Sequence, residues 1–229
     1  MAEVRERMIE FRSNSHTTPA YLTEPTDVGE HPGVVIIQEW WGLVPHIKDV
    51  AERLAREGFI VLAPDLYHGK ASTEPDEARK LAMGLDRDRA VAEIDAAARF
   101  LTEMGRVRPK RAGTVGWCMG GGLALSTAAS SKLLGATVSF YGRPVSEEDT
   151  ARIASPVLGL YGEEDHGIAL SALRDFEAAL QKARVVHEMH VYPRAGHAFF
   201  NDTRPEAYNP SAAADARKRM LSWLRANLV

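Results

Sequence analysis

The chain of 229 residues contains one cysteine, Cys118, within Gly116-Trp117-Cys118-Met119-Gly120-Gly121-Gly122. Glycine two positions away on either side, between a β-rich run and a helical one, is the pattern of a nucleophile elbow with Cys in the usual Ser place. The chain must turn sharply from strand to helix at such a site. Side chains at the two flanking positions would collide, so glycine occupies both. The start of the following helix brings backbone N–H groups and a partial positive charge toward the sulfur. Both favour negative charge there, on the sulfur and later on an oxyanion. Outside this context a lone Cys is most often a small core residue.

A nucleophile of this kind needs a base, and His is the residue suited to that work near neutral pH. Of the eight histidines, His197 is placed best, in Tyr192-Pro193-Arg194-Ala195-Gly196-His197-Ala198-Phe199. This segment follows a β-rich run and lies downstream of Cys118. An acid between the two would complete the order nucleophile, acid, His. The segment Gly162-Glu163-Glu164-Asp165-His166-Gly167 supplies Asp165, with Glu164 and Glu163 as alternatives. A short carboxylate there can accept from the His ring N–H and fix its tautomer. The same acids can also complement the N-terminus of the next helix.

A fourth ionisable group, Glu39, directly follows an apolar run in Gln38-Glu39-Trp40-Trp41-Gly42. A carboxylate at the end of a buried strand must be desolvated or paired, which perturbs its pKa and marks a candidate site residue. The same stretch is where half of an oxyanion hole belongs. The backbone N–H groups of Trp40 and Met119 are the candidate donors, each typically contributing about 3 kcal/mol to barrier lowering.

These residues must be positioned by the elements between them. Met8–Phe11 and Pro19–Thr23 read as short strands around a polar turn at Ser13–Thr17. Gly33–Gln38 is a continuous β-branched run, as in a strand buried on both faces. Apolar residues at Ile47, Val50, Leu54 and Ala55 predict a helix over Ile47–Glu57, closed by Gly58. The strand Phe59–Ala63 is stopped by Pro64. Helices follow over Ser72–Gly84 and Asp86–Met104, the second burying Val91, Ile94, Ala98 and Leu101. Arg111–Gly116 is a strand and Met119–Ser130 a Gly- and Ala-rich helix. Ala136–Tyr141 and Val157–Tyr161 are strands, Leu170–Lys182 a helix, His187–Tyr192 a strand, and Pro210–Leu228 the last helix. Alternating strands and helices predict an α/β fold with a mostly parallel central sheet. In such sheets ligands bind at the carboxyl ends of the strands, where Glu39, Cys118, Asp165 and His197 all fall.

Composition sets the remaining bounds. The chain is 45% hydrophobic and 26% charged, too apolar for a disordered protein and consistent with a single globular domain over residues 1–229. A net charge of −3 offers no electrostatic footprint for nucleic acid. One cysteine excludes an intramolecular disulfide. No apolar stretch approaches the ~20 residues of a membrane span, and the N-terminus lacks the apolar core of a signal peptide. The expectation is a cytoplasmic protein without a membrane partner.

Taken together, the segments Gln38–Gly42, Ala63-Pro64-Asp65-Leu66-Tyr67, Gly116–Gly121, Gly162–Asp165 and Ala195-Gly196-His197-Ala198-Phe199 resemble the dienelactone hydrolase family. This is the cysteine branch of the α/β-hydrolases, with helices on both faces of the sheet. The segments span most of the chain in the family's order. The resemblance implies a Cys118–Asp165–His197 triad and hydrolysis of small lactones or esters through a thioester. It further implies that Glu39 lies near the resting thiol and helps to generate the thiolate. It implies a monomer acting on a small molecule without cofactor or metal.

The chain departs from the family pattern where a substrate carboxylate would be held by two arginines. Pro75 falls at one position, with Arg79 a turn later, and Asn201 falls at the other, with Arg204 nearby. Arg143 is a further candidate cation. Trp40, Trp41, Tyr141, Phe199 and Phe200 are candidates to enclose the cleft, which would also suit neutral or aryl esters. Two readings from other classes are a redox thiol protein, which would lack a resolving Cys, and a binding protein on a hydrolase scaffold.

Overall fold

The side chains of residues 34–37 are completely buried and divide between two separate cores. Val34 and Ile36 pack on one side, Val35 and Ile37 on the other, as the two-residue period of a strand requires. The computed structural model, which describes residues 2–14 and 16–228, places this run inside an eight-stranded sheet. The strands are β1 (Val4–Ser13), β2 (His16–Pro25), β3 (His31–Ile37), β4 (Ile60–Pro64), β5 (Val107–Trp117), β6 (Leu134–Phe140), β7 (Val157–Gly162) and β8 (His187–Tyr192). Their order is β1-β2-β4-β3-β5-β6-β7-β8. β1 and β2 are antiparallel additions at one edge, and β3 to β8 run parallel. This is the expected α/β-hydrolase arrangement.

Helices cover both faces. They are α1 (Pro45–Arg56), α2 (Pro75–Met83), α3 (Arg87–Glu103), α4 (Met119–Ser130), α5 (Glu147–Thr150), α6 (Leu170–Lys182) and α7 (Pro210–Leu228). On one face, Ile47, Val50 and Leu54 of α1 and Met220, Leu221 and Leu224 of α7 join Val34, Ile36, Val115 and Val138. On the other, Ile94 and Leu101 of α3, Leu123 and Leu125 of α4 and Phe176 of α6 join Val35, Ile37 and Val157. Each such buried aliphatic chain contributes about 2 kcal/mol to the fold. α2 differs, because Ala78 is its one buried residue.

Most expected elements lie within a few residues of their observed bounds. β1 is longer than Met8–Phe11 because it is an edge strand with a mostly exposed side, so its extra residues carry no apolar signal. Ser13 pairs with His16, so the strands enter the expected turn at Ser13–Thr17, and Ser15 of that turn lies outside the described residues. β5 begins at Val107 and not at Arg111. The helix expected over Ser72–Gly84 starts at Pro75, and Asp86 caps α3 by accepting from the Arg89 N–H. The short α5, capped by Ser146, had no apolar periodicity to announce it.

The loop after each parallel strand carries a group that matters below. They are Glu39 after β3, Tyr67 after β4, Cys118 after β5, Tyr141 after β6, Asp165 after β7 and His197 after β8. No helix among the described residues is long and apolar enough to cross a membrane.

Candidate active site

Cys118 occupies the N-cap of α4 with φ +56° and ψ −118°. A non-glycine residue there is strained, and the surroundings must hold it. The flanking glycines do so by allowing backbone to touch backbone. A Cβ on Gly116 would lie 2.0 Å from the Gly120 carbonyl oxygen, and one on Gly120 would lie 2.4 Å from that of Ile37. The start of α4 therefore rests directly on the end of β3, which brings Glu39 and Trp40 beside the elbow. Among the described residues, neither the Trp40 N–H nor the Met119 N–H donates to a protein acceptor. Both remain free for an oxyanion.

The His197 Nδ1–H donates to Asp165 Oδ2 at 2.7 Å. Asp165 is nearly fully buried, and its other oxygen accepts from the Gly167 N–H at 2.8 Å, so the carboxylate is fixed at both ends. Glu163 and Glu164, the alternatives, are exposed. Burial alone would depress the His197 ring. The Asp165 hydrogen bond, the adjacent Cys118 and the negative charges of both outweigh it and raise the pKa from 6.5 to about 10. The Tyr141 ring packs edge-on against His197 with centroids 5.0 Å apart.

Glu39 is buried and tied to two partners. Tyr141 Oη donates to its Oε1 at 3.2 Å and Asn201 Nδ2 donates to its Oε2 at 2.7 Å. Asn201 Oδ1 accepts from the Thr203 N–H and hydroxyl, which fixes the amide with its NH₂ toward Glu39. Burial pushes the Glu39 carboxyl above the usual range, opposed by the Asn201 and Tyr141 hydrogen bonds and the charges of His197 and Arg204. Burial and the neighbouring charges of Glu39 and Cys118 keep Tyr141 protonated, so it stays a donor. None of the hydrogen bonds of Glu39 among the described residues goes to Cys118.

Nothing in the sequence around Tyr67 announces a role for it. Its hydroxyl donates to the Trp40 carbonyl at 3.1 Å and lies 3.4 Å from Met119 Sδ. It thus touches both residues expected to supply the oxyanion donors. Burial, with the Cys118 charge behind it, raises its pKa and keeps it a donor.

Cys118, Asp165 and His197 line a cavity of about 1000 Å³ together with Trp40, Met119 and Tyr141. Arg79, Arg143 and a third arginine, Arg87, also line it. Among the described residues none of the three forms an ion pair. Arg87 was missed because it is the first residue of α3 and reads as an ordinary helix start. Five expected pocket residues, Trp41, Phe199, Phe200, Asn201 and Arg204, are not on this lining. Trp41 is buried beneath the Arg204 guanidinium, 4.7 Å from its ring centroid, and Arg204 pairs with Glu206. Phe199 is fully buried in the core, and Asn201 is committed to Glu39. Phe200 packs on Phe140 and Trp117. No group of three metal-ligating side chains suited to an ion occurs among the described residues.

A mostly parallel sheet, a strained elbow after β5 and a His–acid pair after β8 and β7 define an α/β-hydrolase. The model of the dienelactone hydrolase family matches residues 18–228, and the chain belongs to that family. It is 35% identical over 218 residues to Protein usf of Aquifex pyrophilus, covering 92% of this chain and 94% of that one. It is 34% identical over 222 residues to a Methylorubrum extorquens protein named "Putative carboxymethylenebutenolidase", covering 90% of this chain and 76% of that one. The solved dienelactone hydrolase-like promiscuous phosphotriesterase P91, from metagenomic libraries, superposes with a TM-score of 0.90 at 24% identity over the whole of both chains. That likeness speaks for the fold. The chain is a hydrolase of this family.

Proposed function

We propose that the protein hydrolyses small lactones or esters through a Cys118–His197–Asp165 triad and an acyl-thioester. The observation that carries this reading is the His197–Asp165 bond of 2.7 Å beside Cys118 at the floor of the cavity. In the reactive state Cys118 is a thiolate, and the raised pKa of His197 keeps its ring protonated beside it. The sulfur attacks the carbonyl carbon and the carbonyl oxygen becomes an oxyanion facing the N–H groups of Trp40 and Met119. Collapse breaks the C–O bond. The leaving oxygen, as an alkoxide or a stabilised enolate, takes the proton of His197, which leaves the ring neutral, and the acyl group stays on sulfur.

Acylation removes the negative charge on Cys118 that helps to hold the proton on His197. The ring then loses part of its support and becomes a base. It deprotonates water, the water attacks the thioester, and the C–S bond breaks to regenerate the thiolate. Glu39 lies near this charge, held by Asn201 and Tyr141, where its own protonation can respond to the state of the sulfur.

Arg79, Arg87 and Arg143 are the cations able to meet a substrate carboxylate in the cavity. This reading takes residues 1–229 as one domain and the enzyme as a cytoplasmic monomer acting on a small molecule, without nucleic acid, membrane or cofactor. The test is ring opening of a dienelactone, followed by absorbance, with the Cys118→Ala protein as the blank. Cys-dependent turnover supports the reading, and undiminished activity in the variant rejects the nucleophile.

A further inference from the structure

A second depression begins where the active-site cavity ends. Its volume is about 680 Å³, and it lies between the segment at 143–145, α5 and α6. Arg143, Pro144, Val145, Gly167 and Ile168 line both cavities, so the two are contiguous. Beyond these shared residues the wall is one side of α6, with Ala172, Phe176 and Ala179 facing the groove. At the far end Lys182 Nζ of α6 meets Glu147 Oε1 of α5 at 2.6 Å. From Ala172 to Lys182 the helix wall runs about 15 Å at its rise per residue.

The size of the combined space exceeds what a simple lactone needs. Pockets of roughly 300–1000 Å³ take drug-sized ligands, and the first cavity alone reaches the top of that range. The groove holds neither Cys118 nor His197, and its middle is built from the small and apolar Ala169, Ala172, Phe176, Ala178 and Ala179, with the exposed carboxylate of Asp175 on the same wall. Because the two spaces share Arg143, Pro144, Val145, Gly167 and Ile168, it lies in a direction in which a long substrate would extend from the first cavity.

We propose that this groove is a subsite for an extended apolar arm of an ester substrate, running from the scissile carbonyl past Arg143 and Ile168 along α6. The substrate class this assigns is an ester with an aliphatic chain of medium length, on the acyl or the alcohol side. The proposal rests on the ester-hydrolase reading above. Each methylene that enters the groove adds up to about fourfold to kcat/KM, by the free energy of burying a CH₂.

The experiment measures kcat/KM for two series of esters with the full-length protein. One series lengthens the acyl chain from p-nitrophenyl acetate to the octanoate. The other lengthens the alcohol of simple alkyl acetates over the same span. Each is repeated with Ala172→Trp and Ala179→Trp, which place bulk in the groove from two points on α6. The readout is the ratio of long to short substrate within one protein, so a general loss of activity cancels. The expected result is a ratio about tenfold or more above one in at least one series, reduced about tenfold by either Trp. The series that responds shows which side of the ester lies on α6. Turnover of short esters with no rise in either series, or a ratio unmoved by both Trp variants, overturns the subsite and leaves the hydrolase reading intact. No turnover of any ester overturns both.

Discussion

The amide of Asn201 donates to Glu39 Oε2 at 2.7 Å, joining two buried groups that are 162 positions apart in the chain. Glu39 is pushed up by burial, and this bond opposes the push. Asn201→Leu removes the donor and leaves a buried carboxylate short of a partner, which costs about 1–3 kcal/mol. A carboxyl whose folded pKa lies above its unfolded value binds protons better when folded, so its stabilising contribution is lost as pH rises through the folded value. The variant therefore loses more stability above that value than below it. Thermal unfolding of both proteins across a pH series checks this, and a gap in Tm that does not widen with pH contradicts it.

His197 acts in the same direction over a higher pH range. Its folded pKa is about 10 against 6.5. Below 6.5 both states are protonated and the full contribution to stability is present. Between 6.5 and about 10 the folded chain holds a proton that the unfolded chain releases, so the contribution falls as pH rises. Cys118→Ala removes a hydrogen-bonding partner and a negative charge from the ring. The expected outcome is a His197 titration, followed by NMR, that moves down in the variant while the Asp165 bond keeps some of the upward shift. An unchanged midpoint contradicts the pairing of His197 with Cys118.

In the proposed mechanism Tyr67 acts through Trp40 and Met119 as a positioning residue. Tyr67→Phe keeps the ring packing and deletes the donor to the Trp40 carbonyl, at a stability cost of about 1 kcal/mol. The expected kinetic signature is a kcat reduced about tenfold with KM near its original value, because the loss falls on the oxyanion donors in the transition state. A rise in KM with kcat unchanged assigns Tyr67 to substrate binding.

Gly120 has no room for a side chain. A Cβ there meets the Ile37 and Gln38 carbonyl oxygens at 2.4 and 2.5 Å, both backbone. Gly120→Ala must push α4 away from β3, at a cost of about 3 kcal/mol, and separates the Trp40 and Met119 N–H groups. Chemical denaturation reads the first effect and kcat the second. A variant of native stability and activity shows that the elbow is looser than its geometry.

The parts of this molecule legible in the sequence are those encoded locally. The glycines around Cys118 report a backbone contact, and the apolar run at 34–37 reports burial on two faces. The order of Cys118, Asp165 and His197 follows from each lying after a parallel strand. What stayed hidden depends on partners distant in sequence. Asn201 reads as a pocket position four residues past His197, and nothing near it announces that its amide is held by Thr203 and spent on Glu39. Arg87 and Tyr67 likewise acquire their places only when α3 and the loop after β4 pack against the elbow. β1 was underestimated because an exposed edge strand has no apolar pattern to read.

The central claim is that Cys118 carries the acyl group. The most direct measurement mixes the protein with an ester that deacylates slowly, quenches in acid, and determines the intact mass followed by peptide mapping. The account predicts one added acyl group on Cys118 in the wild type and none in Cys118→Ala. Turnover without any acylated species, together with an active Cys118→Ala protein, contradicts it.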